Sequence, residues 1–358
     1  MQADRRNSIR FAAVGDLLLA DLPGGRAGRG MESLSGDVRA LFASCDLVFA
    51  NLEATLPGER SVATEPVVLS TVAQIRSLAE SGISLVTLGN NHVFDCLEEG
   101  FLNLAGALNE MGIPWFGAGQ DLAEASRPAI IELNGLSIGF LGAVDKSSAP
   151  SAFASASAVG VAPLDISQIC QSIRVLRKQV DHVVVSPHWG MERFRIPSPE
   201  QIEQARLMVE AGATMILGHH PHVLQGVETY RGALTAYSLG NFLANNVHWR
   251  DGDQLEWNRF ERTGLILLAE FSADRVFNIE QIPVFDDGVC ISIDKSGRGD
   301  RYLQKANLLL QKGITAKDFN RERFYIQTVK PIMAQLKWSK LKRIRPSHLG
   351  KLKKLLSQ

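Results

Sequence analysis

Several things are scarce in this sequence, and each scarcity closes off a class of protein. No stretch approaches the roughly 18–20 apolar residues that a membrane-spanning helix needs. The opening MQADRRNSIRFAAVGD is charged and reaches the polar pair Gly15-Asp16 before any apolar stretch long enough for a secretion signal. There are four cysteines, Cys45, Cys96, Cys170 and Cys290, none at the CxxC spacing of a thiolate zinc site. Thiols so widely scattered fit a reducing compartment. Acidic residues vanish from Arg323 onward, where ten Lys and Arg stand unopposed, so the remainder carries 28 positive against 38 negative charges. The reading is a cytoplasmic protein with a mildly acidic body and a strongly basic tail. No internal repeat and no nucleic-acid-binding module stands out.

A hydrophobic share of 45% leaves ample material for a sizeable core. Short apolar runs alternate with amphipathic segments, the signature of α/β organisation. Strands are expected at Ile9–Val14, Leu47–Ala50, Leu85–Leu88, His182–Ser186 and Thr214–Leu217. Helices are expected near Gly36–Ala43, Thr71–Ser81, Cys96–Met111, Asp165–Gln179 and Pro199–Ala211. Asn134-Gly135 and Arg231-Gly232 read as hairpin turns, and Ala273-Asp274 turns a third, later pair of strands. Tyr237–Leu243 reads as a further strand that ends in Gly240-Asn241, and 147–159 as a surface loop. A mixed sheet, or two sheets face to face, fits this order. The body is expected to span 1–287, and 288–358 to form a basic, mainly helical extension.

What the sequence does have is a series of polar residues just after its apolar runs. Asp16 follows the first, Asn51-Leu52-Glu53 the second, Asn90-Asn91-His92 the third, His188 the fourth and His219-His220-Pro221-His222 the fifth. In open α/β sheets, ligands sit outside the carboxyl ends of the strands. Carboxylate and imidazole without thiolate suit a catalytic site for a divalent transition metal. Pro221 favours an extended His220, and in an extended segment positions two apart share a side. His220 and His222 are therefore expected to face one site, with His219 turned away. Asp95, three before Glu98, is either a helix cap or a functional acid. Glu192 faces either the site or solvent, and Asn241 either the cleft or a turn. His182 and His248 are expected at the surface.

Together, GD at 15–16, NLE at 51–53, GNNHVFD at 89–95, HWGMER at 188–193, GHHPHVLQG at 218–226 and SLGNF at 238–242 resemble the CapA family. These are the poly-γ-glutamate capsule synthesis proteins, a branch of the calcineurin-like metallophosphoesterase superfamily. The likeness runs from about Ile9 to Phe285. It implies a four-layer α/β/β/α sandwich of two mixed sheets and a site for one or two divalent ions (manganese, iron or zinc). By the same resemblance Asp16, Glu53 and His222 serve one metal, and Glu53, Asn91, His188 and His220 the other. His92 becomes a general acid or a stabiliser of the transferring oxygen. Two departures from the phosphatases, Leu18 where they carry His and Glu53 where they carry Asp, are usual for this branch and imply one tight and one weak metal.

The function expected is metal-dependent hydrolysis, of a phosphoester or of an amide or peptide bond, tied by resemblance to capsule polymer synthesis. One alternative is a metal-assisted peptide epimerase with His92, Glu192 or His219 as base. The other is a non-catalytic assembly factor that binds an anionic polymer or a membrane surface. The catalytic candidates are His92, Glu192 and Asp95, and the candidates for substrate contact are Asn241 and His219. In 331–358, Trp338, Leu341, Ile344, Leu349, Leu352, Leu355 and Leu356 fall near helical spacing among Lys and Arg. That pattern suits either packing on the body or a helix lying on anionic lipid, which would make the protein peripheral at the inner membrane surface. The partners expected are an acidic polymer, peptide or phosphoester, and no nucleic acid.

Overall fold

The first strand, β1 (Ile9–Leu18), is buried along almost its whole length, which requires cover on both faces. That cover comes from a second sheet on one side and helices on the other. The computed structural model describes residues 8–22, 27–62, 66–249 and 251–335. The chain divides into two compact units, Met1–Ile314 and Thr315–Gln358. In the first unit β1 is followed by α1 (Gly36–Ala43), β2 (Leu47–Leu52), α2 (Val72–Ser81), β3 (Leu85–Thr87), α3 (Leu97–Glu110) and β4 (Trp115–Phe116). Next come β5 (Ala118–Gly119), α4 (Leu122–Ala125), β6 (Ala129–Leu133), β7 (Leu136–Val144), β8 (Gly160–Val161), α5 (Ile166–Leu176), β9 (His182–His188), α6 (Pro199–Ala211) and β10 (Met215–Leu217). The unit closes with β11 (Val227–Tyr230), β12 (Ala233–Ala236), β13 (Asn241–Ala244), β14 (Val247–His248), β15 (Gln254–Leu255), β16 (Thr263–Phe271), β17 (Val276–Asp286), β18 (Ile291–Ile293) and α7 (Arg298–Lys312).

The larger sheet runs β18-β17-β16-β1-β2-β3-β4, with β13 also paired to β1, and the smaller runs β11-β12-β10-β9-β7-β6. Both are mixed: β1 to β4 are parallel while β16 is antiparallel to β1, and β7, β9, β10 and β12 are parallel between two antiparallel edges. Phe11, Phe49, Leu85, Phe140, Val184 and Met215 fill the space between the sheets, where the Phe49 and Phe140 rings stack at 6.0 Å. Val38, Phe42, Ile75, Leu78 and Leu104 of α1, α2 and α3 cover the outer face of the larger sheet. Ile169, Ile173, Ile202 and Met208 of α5 and α6 cover that of the smaller. The result is the expected four-layer sandwich.

Local signals explain the boundaries. Thr71 with Gln74, and Ser198 with Gln201, form capping boxes that open α2 and α6, and Gly82 and Gly212 close both helices in the left-handed conformation. Asn134-Gly135 (φ 53° and 76°) and Arg231-Gly232 (φ 49° and 86°) turn their hairpins as the sequence suggests. Three expectations need correction. Strand β13 begins at Asn241 instead of ending there, because Gly240 (φ 66°) turns the chain before it. His182 is buried, its Nε2 2.6 Å from the Ser272 carbonyl oxygen, not solvated. The compact unit continues to Ile314 instead of 287, because β18 pairs with β17 and α7 buries Leu303, Ala306 and Leu310.

The second unit opens on Thr315, which exchanges capping hydrogen bonds with Asp318. It continues as α8 (Ala316–Phe324), a π-helical stretch (Tyr325–Val329) and α9 (Lys330–Gln335). The expected basic helix from Trp338 to Leu356 lies outside the described residues. Among the described residues no helix is long and apolar enough to cross a membrane.

Candidate metal centre

Asp16 lies within β1, Glu53 directly follows β2, Asn91 and His92 follow β3, His188 ends β9, and the 219–222 segment follows β10. These strand ends meet at one edge of the sandwich. Asp16, Glu53, His188, His220 and His222 are each at most 3% exposed. Ligand atoms of Glu53, His188 and His220 lie within 4.8 Å of one another, as do those of Asp16, Glu53 and His222. Asn91 Oδ1 is 2.8 Å from His188 Nε2. These two groupings share Glu53, and a third, of Glu192, His220 and His222, links them.

The convergence of His220 and His222 has a different cause from the one expected. Both residues have positive φ, 94° and 57°, so the segment is a left-handed kink and not an extended strand. Their rings lie 5.8 Å apart, and His188 lies 4.8 Å from His220. His219, expected to turn away from the site, is instead turned inward against Asp16. Its Nδ1 is 2.9 Å from Asp16 Oδ1, and its ring meets the edge of Phe49. Asn241 stands beside Asp16 in the β1–β13 register, with Oδ1 2.9 Å from His222 Nδ1, and its amide donates to the Glu261 carbonyl oxygen. Both residues are at most 1% exposed and hold ligand candidates in place, which leaves little access for the substrate contact expected of them.

Asp95 is not a helix cap. Cys96 takes that position, and Asp95 Oδ2 instead lies 2.7 Å from His92 Nδ1 while accepting the Val68 amide at 2.9 Å. Glu192 is exposed at the mouth, with a ligand atom within 4.8 Å of those of His220 and His222. Two Asn side chains that carried no assigned role in the sequence complete the framework. Asn51 donates to Asp16 Oδ1 at 2.8 Å. Asn90 donates to the Leu52 carbonyl oxygen at 2.8 Å and accepts the amides of His92 and Val93. Both stand in the NLE and NNH runs, where adjacency to a ligand candidate was the only signal. Trp257, whose ring lies 5.2 Å from that of His222, had none.

Electrostatics separate the two buried carboxyls. Burial disfavours the Asp16 carboxylate, but hydrogen bonds from His219 and His222 outweigh it and hold its pKa well below the ordinary range. Burial pushes Glu53 up to about 8, with the His222 charge opposing and the Asp16 charge adding. Burial also works against His222, yet Glu53 and Asp16 lift it to about 10, while burial and the His222 charge push His220 down to about 4. Among the described residues, both Glu53 oxygens and His220 Nδ1 are buried without a hydrogen-bond partner. An unpaired buried carboxylate is strongly unfavourable. A divalent cation among these oxygen and nitrogen donors would satisfy it, so the residues present fit a metal site.

Residues 10–246 match the family of bacterial capsule synthesis proteins, PGA_cap. The chain belongs to this family. The PGA_cap chain is 32% identical over 229 residues to a protein of Bacillus subtilis (strain 168) named PGA biosynthesis protein CapA, covering 63% of this chain and 60% of that one. It is 34% identical over 183 residues to the capsule biosynthesis protein CapA of Bacillus anthracis, covering 50% and 44%. It therefore spans less than two thirds of the length of either relative. A crystal structure of a phosphatase from Mycoplasma pneumoniae shares the fold, with TM-score 0.51 and 15% identity over 83% of this chain and 97% of that one.

Proposed function

We propose that this PGA_cap protein is a metal-dependent hydrolase. The observation that carries the reading is Glu53, a fully buried carboxylate with no hydrogen-bond donor among the described residues, standing between two sets of ligand candidates. Asp16, Glu53 and His222 would hold one ion. Glu53, His188 and His220, with Asn91, would hold a second. A bound divalent ion would polarise the scissile group and lower the pKa of the attacking water. Asp16 is fixed by Asn51 and His219 before any ion arrives. The Asp95 charge and hydrogen bond overcome the effect of burial and raise the pKa of His92, which favours its protonated form. With Nδ1 engaged by Asp95, the Nε2 proton is the one to pass to the leaving atom. A raised pKa suits a proton donor better than a base for α-proton abstraction, which needs the neutral ring. Glu192 adds an exposed carboxylate at the mouth; the protein around it desolvates it in part, but His222 and His220 outweigh this and lower its pKa.

The substrate in this reading is an anionic capsule polymer or a precursor of it, in keeping with the names of the Bacillus relatives. The test is elemental mass spectrometry of protein purified without added metal, wild type beside His220→Ala, with circular dichroism as the check on folding. One to two equivalents of manganese, iron or zinc, lost in the folded variant, are expected. A wild type that stays empty after reloading would sink the reading.

A further inference from the structure

Arg193 follows Glu192 at the mouth of the metal centre, and the chain holds it there at some cost. Its φ is 69°, a left-handed conformation uncommon for a side chain of this size. Its amide donates to the Pro221 carbonyl oxygen at 2.7 Å, which ties it to the kink between His220 and His222. Its Nε lies 3.2 Å from Glu261 Oε1. Glu261 is itself fixed: it is 1% exposed, its Oε2 accepts the Asn258 amide at 2.8 Å, and its carbonyl oxygen accepts from Asn241, the partner of His222. The guanidinium thus lies with its Nε in ion-pair range of the support of the metal centre, although among the described residues Nε makes no hydrogen bond. The side chain is 34% exposed, and among the described residues no acceptor is paired with its terminal nitrogens. Those two nitrogens form the fork that binds carboxylate or phosphate through paired hydrogen bonds.

We propose that Arg193 is a specificity-determining residue that receives an anionic group of the substrate next to the scissile bond. The proposal rests on the hydrolase reading for its site but names what that site selects. The shared chemistry is a planar pair of anionic oxygens, supplied either by a phosphoryl group or by a neighbouring carboxylate.

The experiment is isothermal titration of wild type, Arg193→Gln and Arg193→Lys with two probes, inorganic phosphate and γ-glutamyl-glutamate. Each titration is run with manganese and with EDTA, and metal content is measured on the same samples. Wild type with manganese is expected to bind at least one probe. Arg193→Gln should bind it about tenfold more weakly or worse, with Arg193→Lys between, since lysine keeps the charge and lacks the fork. Loss for phosphate alone identifies a phosphoryl group, and loss for the dipeptide alone identifies a carboxylate. If Arg193→Gln also loses metal, the lysine variant decides: affinity below wild type at full metal content supports the proposal, and affinity equal to wild type overturns it. Wild type that binds neither probe, or Arg193→Gln as tight as wild type, also overturns it. The two readings separate because metal content reports on one and anion affinity on the other.

Discussion

At the scale of single residues, His92 and Asp95 form the pair whose chemistry is easiest to isolate. Their 2.7 Å contact opposes the effect of burial and leaves His92 with a raised pKa. Asparagine at 95 keeps an acceptor for the Val68 amide and removes the charge. The His92 pKa should then fall, so the proton needed by a leaving group is lost at lower pH. With bis-(p-nitrophenyl) phosphate as a chromogenic probe, the basic limb of the pH–rate profile of Asp95→Asn should move to lower pH. Replacing the ring altogether, in His92→Ala, should lower kcat by about 10²–10⁴-fold. An unmoved basic limb in Asp95→Asn would assign that limb to another group and leave Asp95 a merely structural acid.

At the scale of elements, the site depends on how closely β1 approaches the turn before β13. A Cβ built on Gly15 would sit 1.8 Å from the Gly240 carbonyl oxygen, the same atom that accepts the Asp16 amide at 2.9 Å. Gly15→Ala must push backbone away from backbone, and Asp16 moves with it. A loss of about 1–3 kcal/mol in chemical denaturation is expected, the usual cost of overpacking, together with reduced metal content. Gly36→Ala, with nothing near the added carbon, is the control and should be close to neutral. Wild-type stability and metal content in Gly15→Ala would show that the strands can part without harm. Elements of this kind were largely legible in the sequence, since the apolar runs, capping residues and turn pairs are local signals and the structure follows them. The site was legible as a list of strand-end residues. What local pattern could not supply was the reason for each position. His220 and His222 converge through left-handed backbone that no propensity predicts. Asp95 reads as either a cap, because Glu98 follows it, or a functional acid, and the contact with His92 that claims its side chain is unseen in the pattern. Trp257 reaches His222 from a polar stretch 35 positions further on, a distance at which sequence carries no contact signal.

For the whole molecule, stability and metal are coupled through Glu53. In metal-free protein its carboxyl has a pKa of about 8, against an ordinary value of 4.5. The folded state then holds a proton that the unfolded chain releases. This contribution is fully present below about 4.5 and declines as pH rises through about 8. Calorimetry in EDTA should therefore show the Tm of wild type falling between these limits. Glu53→Gln should fall less steeply, exceed wild type at pH 8, and gain nothing from added manganese. Parallel curves for the two proteins would remove Glu53 as the source. Distribution also matters at this scale. Asp16 and Glu53 extend from the larger sheet, His188, His220 and His222 from the smaller. An ion gripped from both sides would act as a rivet at one end of the sandwich. Without it, the layers would keep at that end only their greasy side chains and a few hydrogen bonds such as His219 to Asp16, and amide exchange would quicken first at the tips of β1, β2 and β9. Loading the ion and clamping the halves of the molecule together would then be a single event.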